Sequence, residues 1–169
     1  RFSLRPPKIM NLDNLSNLIE LFSHQVQKQN KKDIFLQWLN PNNQKTYTWE
    51  EAEKNILKLS KIIKENIKEG DRCLLVSENR PEWFVSDLAI MLSDGITVPA
   101  YTTYTEEDYK YLIEDCEPSL VIVSNNELLK KLSKTIDEKD FIKKVITLDE
   151  VSKVTDNLNL ITKEKYLCF

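Results

Sequence analysis

An α/β fold, built as a three-layer, Rossmann-like and mostly parallel sheet, is what this 169-residue sequence predicts. Three observations predict it. Short continuous apolar runs, "RCLLVS", "ITVPA", "LVIV" and "VITL", recur through residues 71–148. Helical periodicity fills the gaps between them. A capping residue or an early proline stands where each helix should start. Apolar runs without alternation mark strands covered on both faces, and their alternation with helices marks βαβ units. The crossovers are expected to be right-handed.

The elements follow in order. Residues 11–27 place Leu15, Leu18, Ile19, Phe22 and Val26 at helical spacing, with Asp13 or Asn14 as the expected cap. "DIFLQWL" and "QKTYTW" flank the turn-like "NPNNQ", which predicts two short strands and a connection. Thr48-Trp49-Glu50-Glu51 is a capping box: the threonine hydroxyl takes an orphan amide and Glu51 reaches back. Behind it Ala52, Ile56, Leu59, Ile63 and Ile67 form one apolar stripe, predicting a helix over about 49–68. Gly70 stands where a left-handed closing residue is expected.

The sheet rhythm then begins, with strands expected at 73–77, 96–100, 120–123 and 145–148. "PEWFVSDLAIMLS" carries Pro81 at its first helical position, where the missing amide costs nothing. Thr105 caps "EEDYKYLIEDC", with Tyr109, Leu112, Ile113 and Cys116 on one side. Ser124-x-x-Glu127 is a further candidate capping box, opening "ELLKKLSKTI". Residues 149–169 have weak periodicity and are assigned no element.

Composition narrows the function. The chain is 41% hydrophobic and 30% charged with a net charge of −3, ordinary for a globular protein and no basis for binding nucleic acid. Cys73, Cys116 and Cys168 are widely spaced and odd in number, so neither a zinc site nor a disulfide framework is indicated. Cys73 and Cys116 are expected to be buried, and a reducing cytoplasm is the expected compartment. There is no apolar run near 18 residues, so no transmembrane segment is expected. The opening "RFSLRPPKIM" has no methionine before Met10 and the chain closes on "YLCF", which suggests a segment of a longer protein.

Chemistry-bearing motifs are few. With only Gly70 and Gly95, neither a GxGxxG turn nor a GxxxxGK[ST] loop can be written. There is no GxSxG elbow, and the lone His24 has no partner in sequence and is read as solvated or at the core edge. Glu50, Glu51, Glu106, Glu107 and Asp108 are explained by caps and the helix dipole. A phosphorelay receiver needs clustered acids at its strand ends, where this chain has Ser77-Glu78, Ala100-Tyr101 and Ser124-Asn125. Tyr101, Tyr104, Tyr109 and Tyr111 have no basic groove beside them for single-stranded nucleic acid.

"YTWEEA", "EGDRCLLVSENRPEWFVSDLAIM" and "GITVPAYTT", in this order and spacing, resemble the N-terminal region of AMP-forming acyl-CoA synthetases, the adenylate-forming superfamily. The wording of "SENRPEW" and "VPAYTT" is most similar to the long-chain fatty acid–CoA ligase branch. The resemblance runs from about Leu12 to about Leu148. It implies the N-terminal subdomain of the adenylate-forming fold, incomplete: residues 1–169 as a partial AMP-binding domain, with 71–148 as its βαβ core. It implies ATP-dependent activation of a fatty acid to acyl-AMP, then transfer to CoA, with Mg²⁺ on the phosphates. ATP, CoA, Mg²⁺ and the fatty acid would be handled by the remainder of the domain. The family's phosphate loop, adenine and ribose motifs and adenylation lysine are absent here. No catalytic, cofactor-binding or metal-binding residue is therefore carried onto this chain, which is expected to be inactive alone.

On that reading "SENRPEW" is a structural corner, with Asn79 or Arg80 before the helix and Pro81 fixing its entry. The competing reading has Arg80 and Glu82 touching a substrate or partner. For the whole chain, the alternatives are a non-catalytic α/β binding or interaction module derived from the same fold, and an unrelated flavodoxin-like domain. Peripheral membrane contact and oligomeric state are left open by the sequence.

Overall fold

The computed structural model describes residues 15–40, 43–149 and 166–169. Helix α1 (Leu18–Lys28) leads into an antiparallel hairpin, β1 (Ile34–Asn40) and β2 (Asn43–Thr48). Helix α2 (Trp49–Lys64) follows. The rest is strand–helix alternation: β3 (Arg72–Val76), α3 (Pro81–Leu92), β4 (Ile96–Ala100), α4 (Glu106–Cys116), β5 (Leu120–Val123), α5 (Asn126–Glu138), β6 (Lys144–Thr147) and β7 (Tyr166–Cys168). The last five strands form one sheet in the order β4-β3-β5-β6-β7, every neighbouring pair parallel.

The apolar runs work as continuous strands because both sheet faces are covered. Cys73, Leu75, Leu120, Ile122 and Ile146 face one way and pack with Ile56, Leu59 and Ile63 of α2 and Val85, Leu88 and Ala89 of α3. Leu74, Val76, Val121, Val123 and Val145 face the other way and pack with Tyr109 and Ile113 of α4 and Leu128, Leu129, Leu132 and Ile136 of α5. Strand alternation splits each run between two helical layers. From β3 the chain steps to β4 under α3, then returns past β3 to β5 under α4 on the opposite face. A reversal of direction with a change of face is what a single crossover hand requires.

The hairpin is held to this body at its open end, where β1 begins and β2 finishes. The Trp49 and Glu50 amides donate to the Asp33 and Lys31 carbonyls, each at 3.1 Å. Phe35 packs between Trp49 and Phe84, with ring centroids at 3.9 and 5.5 Å, and Phe22 of α1 closes the group at 5.8 Å.

Several local expectations are met by geometry. Thr48 and Glu51 form the capping box of α2, and Thr105 and Asp108 form that of α4. Pro81 opens α3. Others need correction. α1 starts at Leu18 rather than residue 11, and its cap is Asn17, whose side chain accepts the Glu20 amide. The Glu20 carboxylate in turn accepts from the Ser16 amide at 2.8 Å, so the reciprocal cap forms one turn later than expected. The predicted caps Asp13 and Asn14 lie outside the described residues. α5 is capped by Asn125, not Ser124, because the Ser124 backbone, just past the end of β5, continues the ladder: its amide donates to the Val76 carbonyl and its carbonyl accepts from the Asp149 amide. Cys116 is half-buried rather than buried, at the last residue of α4. The short strand β7 falls in the stretch left unassigned, since three residues carry no readable period.

Gly70 does have a positive φ, +79°, but it closes no helix. α2 ends at Lys64, and Gly70 sits in the turn before β3, its amide donating to the Asp94 carbonyl at 2.8 Å. The left-handed cap belongs to Glu117, at φ 42°, behind α4. A Cβ on Gly70 would meet nothing within 4 Å, so the backbone alone sets the cost of substitution. Gly70→Val is expected to lose on the order of 1–2 kcal/mol, read as a lower urea midpoint at unchanged slope. An unchanged midpoint would contradict this.

Candidate functional site

The carboxyl ends of the strands, where open α/β sheets bind ligands, are formed by Ser77, Ala100, Ser124 and Leu148 with the loops that follow them. The strand order reverses between β3 and β5, so the switch-point crevice lies between Ser77-Glu78 and Ser124-Asn125. Glu78 and Asn125 span it: Asn125 Nδ2 donates to Glu78 Oε1 at 2.7 Å. The same asparagine caps α5 through Oδ1, which accepts the Leu128 amide at 3.0 Å. Beside this bridge, over the ends of β3 and β4, is an open cleft of about 500 Å³ walled by Glu78, Asn79, Trp83, Pro99 and Tyr101.

The corner itself is built by Arg80 and Glu82. Arg80 is the last residue before α3 and makes no side-chain cap. Its guanidinium turns inward instead, with Nε donating to Glu82 Oε2 at 2.8 Å and Nη2 meeting Asp149 Oδ1 at 2.9 Å. It also lies over the Trp38 ring, 5.3 Å from the centroid. The other Glu82 oxygen accepts from Lys45 Nζ at 2.5 Å and from the Tyr47 hydroxyl at 2.9 Å. The Arg80 and Glu82 side chains are only 6% and 8% exposed, so both charges are withdrawn from water and answered by protein.

Electrostatics follow from that geometry. Burial alone would raise the Glu82 carboxyl, but donors from Arg80, Lys45, its own backbone and Tyr47 outweigh it and hold the group at about 2. Burial and the adjacent Glu82 carboxylate push the Tyr47 phenol up. Burial would lower Arg80, yet Glu82 and Asp149 raise it, so it stays charged. Burial and the Asp71 charge push the Cys73 thiol up to about 12, which makes it a core residue and not a nucleophile. Cys73 and Cys116 are free.

Arg80 and Glu82 therefore clamp the β2 strand of the hairpin, the start of α3 and the end of β6 to one another. Their charges are spent on internal partners. His24 is half-buried on α1, away from this corner, and its Nδ1 has no protein partner. The sequence pointed to the corner through an apolar run ending at a proline. It did not reveal Lys45, Tyr47, Asp149 or Asn125 as members, because none shares a local period with it.

The described residues do not fit a nucleotide with its metal. Gly70 lies in the turn at the opposite end of the sheet, and Gly95 is packed so closely that a Cβ would meet Ile67 Cδ1 at 2.9 Å. Neither offers backbone amides to a phosphate. Among the described residues, no group of three or more His, Cys, Asp or Glu side chains is placed to hold a metal ion. No helix among them is long and apolar enough to cross a membrane.

Comparison with known proteins matches residues 22–166 to the profile of the AMP-binding enzyme family. The long-chain-fatty-acid–CoA ligase ACSBG2 of Xenopus laevis is 31% identical over 81 residues, covering 47% of this chain and 11% of that protein. The human long-chain-fatty-acid–CoA ligase ACSBG1 is 27% identical over 106 residues, covering 63% and 14%. FadD15 of Mycobacterium tuberculosis, another long-chain-fatty-acid–CoA ligase, is 34% identical over 56 residues, covering 33% and 9%. The chain thus spans about a tenth of the length of these relatives. Among solved structures, coronafacic acid ligase from Pectobacterium brasiliense superposes with a TM-score of 0.73 at 18% identity, covering 89% of this chain and 28% of that one. The anthranilate CoA ligase AuaEII, solved with anthranoyl-AMP, gives 0.72 at 17% identity, covering 86% and 28%. The structural likeness is one of fold: this chain shares the α/β architecture of about a quarter of each of these two ligases.

Proposed function

We infer, since this chain belongs to the AMP-binding enzyme family, that it forms the N-terminal α/β part of a long-chain-type, AMP-forming acyl-CoA ligase. The observation that carries the reading is the family match over 22–166 together with long-chain ligases as the curated relatives. The proposed substrates of the whole protein are a fatty acid, ATP and CoA, with Mg²⁺ on the nucleotide. Their sites belong to chain beyond the residues described here, because this chain has neither a phosphate-cradling loop nor a metal-holding cluster among its described residues.

Within that enzyme the chain's own work is support. The central sheet is rigid because both faces are packed, and the Arg80–Glu82 clamp fixes the hairpin, α3 and the end of β6 in one arrangement. A scaffold of this kind holds catalytic loops to the sub-ångström precision that positioning requires. The free Cys73 and Cys116 support a reducing, cytoplasmic setting.

The coding sequence downstream of Phe169 tests the reading directly. A Ser/Thr/Gly-rich loop ending in lysine, within the next hundred or so codons, is the expected result. A stop codon directly after Phe169 would contradict it and favour a non-catalytic module of the same fold.

A further inference from the structure

Helix α3 has no fully exposed residue from Pro81 to Leu92, whereas α4 and α5 each turn charged residues to water. Val85, Leu88 and Ala89 account for its contact with the sheet and α2. Trp83, Asp87 and Met91 recur every four residues and form a second stripe on another flank. Trp83 walls the cleft of about 500 Å³ with Pro99 and Tyr101. Met91 walls an open hollow of about 570 Å³ with Gly70 and Gly95. The stripe thus borders β4 at both ends. That strand is an edge of the sheet and is thinly covered: Ile96 is 53% exposed and Pro99 is exposed, while β5 is buried throughout.

Asp87, in the middle of the stripe, is half-buried, and its carboxylate has no hydrogen bond or ion pair among the described residues. A carboxylate drawn partly out of water without a partner costs free energy, so the stripe is unfinished within this chain. The β4 edge excludes one kind of partner. The Ile96 amide donates to the Asp71 carbonyl at 2.9 Å, so the Ile96, Val98 and Ala100 amides face β3. Thr97 and Pro99 face outward, and proline brings no amide, so within β4 an added strand would find a single donor.

We propose that the flank formed by Trp83, Asp87 and Met91 of α3 and Pro99 of β4 seats a later segment of the same ligase, beyond residue 169. That segment packs side chains into the two clefts, sets a basic residue against Asp87 and adds no strand to β4. The inference rests on the ligase reading: this chain covers 28% of each solved ligase of its fold, leaving most of such a polypeptide to supply the occupant. An apolar flank with one central charge suits an interface core whose register a single ion pair fixes. A second copy of this chain is the poorer fit, because a twofold contact centred on the stripe sets Asp87 against its own copy.

The test compares the full-length protein, expressed from the whole reading frame, with the 169-residue chain. Carboxyl groups are labelled with a carbodiimide and glycine ethyl ester and read by mass spectrometry, with exposed Glu107 as the reference. Asp87 is expected to react at least about tenfold more slowly in the full-length protein, as a group withdrawn into an interface core. Asp87→Asn, which keeps the shape and removes the charge, should lower the Tm of the full-length protein and move that of the chain by no more than about a degree. The Thr97 amide should exchange faster than that of Val98 in both. Equal Asp87 labelling in the two proteins, or an Asp87→Asn loss that is absent from the full-length protein or equal in both, would overturn the proposal. So would a Thr97 amide as protected as Val98, which would mean an added strand, or labelling of the chain that slows with its concentration, which would mean a second copy. A stop codon after Phe169 fails the ligase reading and this inference together, whereas a full-length ligase with an unprotected Asp87 fails this inference alone.

Discussion

Glu82→Ala is expected to destabilise the chain by about 3 kcal/mol, measured as a shift of the urea midpoint at pH 7. The substitution leaves the Arg80 guanidinium 6% exposed with its main partner gone, and also strands Lys45 and the Tyr47 hydroxyl. Removing one member of a buried pair typically costs about 3–5 kcal/mol, and Asp149 remains on Arg80, which favours the lower end. Glu82→Gln keeps the shape and gives the pH signature. The folded-state carboxyl sits near 2, below its usual value near 4.5, so its contribution is fully present above 4.5 and is lost as pH falls toward 2. The gap between wild type and Glu82→Gln should therefore be wide at pH 6 and narrower at pH 3. A gap that is constant over that range would show that the carboxylate charge is not what the corner uses.

Leu75→Ala is expected to cost about 3–5 kcal/mol. Leu75 is completely buried in β3, the strand flanked by β4 and β5, where it pairs with Pro99 and Ile122. Its side chain belongs to the layer formed with α2 and α3, which has little freedom to collapse because both helices also pack on each other. For a domain of this size the loss corresponds to a fall in Tm of about 6–20 °C, measurable by calorimetry. Leu57→Ala on the outer face of α2, where the side chain is 54% exposed, should move Tm by only a degree or two. Equal effects at the two positions would mean that β3 is not the centre of the core.

The difference between those two leucines shows what the sequence made legible. Leu75 lies in an apolar run too long to alternate, so its burial on a covered sheet could be read directly. The caps Thr48 and Thr105 were legible because their partners, Glu51 and Asp108, stand three residues away. Ser124 looked equally good by spacing, yet its backbone was claimed by the sheet and the next residue took the cap. Gly70 gave the right conformation and the wrong role, since a turn and a helix end make the same demand on φ. The site was less legible than the fold. The clamp joins Lys45, Tyr47, Arg80, Glu82 and Asp149 from three separate parts of the chain, and the Glu78–Asn125 bridge joins residues 47 positions apart. Such contacts are set by strand order, which no local period encodes.

The central claim is that this chain supports an adenylate-forming site without containing it. The most direct measurement is calorimetric titration of the 169-residue chain with Mg-ATP, beside a pyrophosphate-exchange assay with a long-chain fatty acid. Micromolar binding needs roughly 8 kcal/mol. A helix start offers an exposed anion about 1 kcal/mol or less, and here both starts are already capped or carry a carboxylate. The account predicts no saturable micromolar binding and no fatty-acid-dependent exchange. Micromolar ATP binding, or exchange that depends on the fatty acid, would contradict it and place the nucleotide site within these residues.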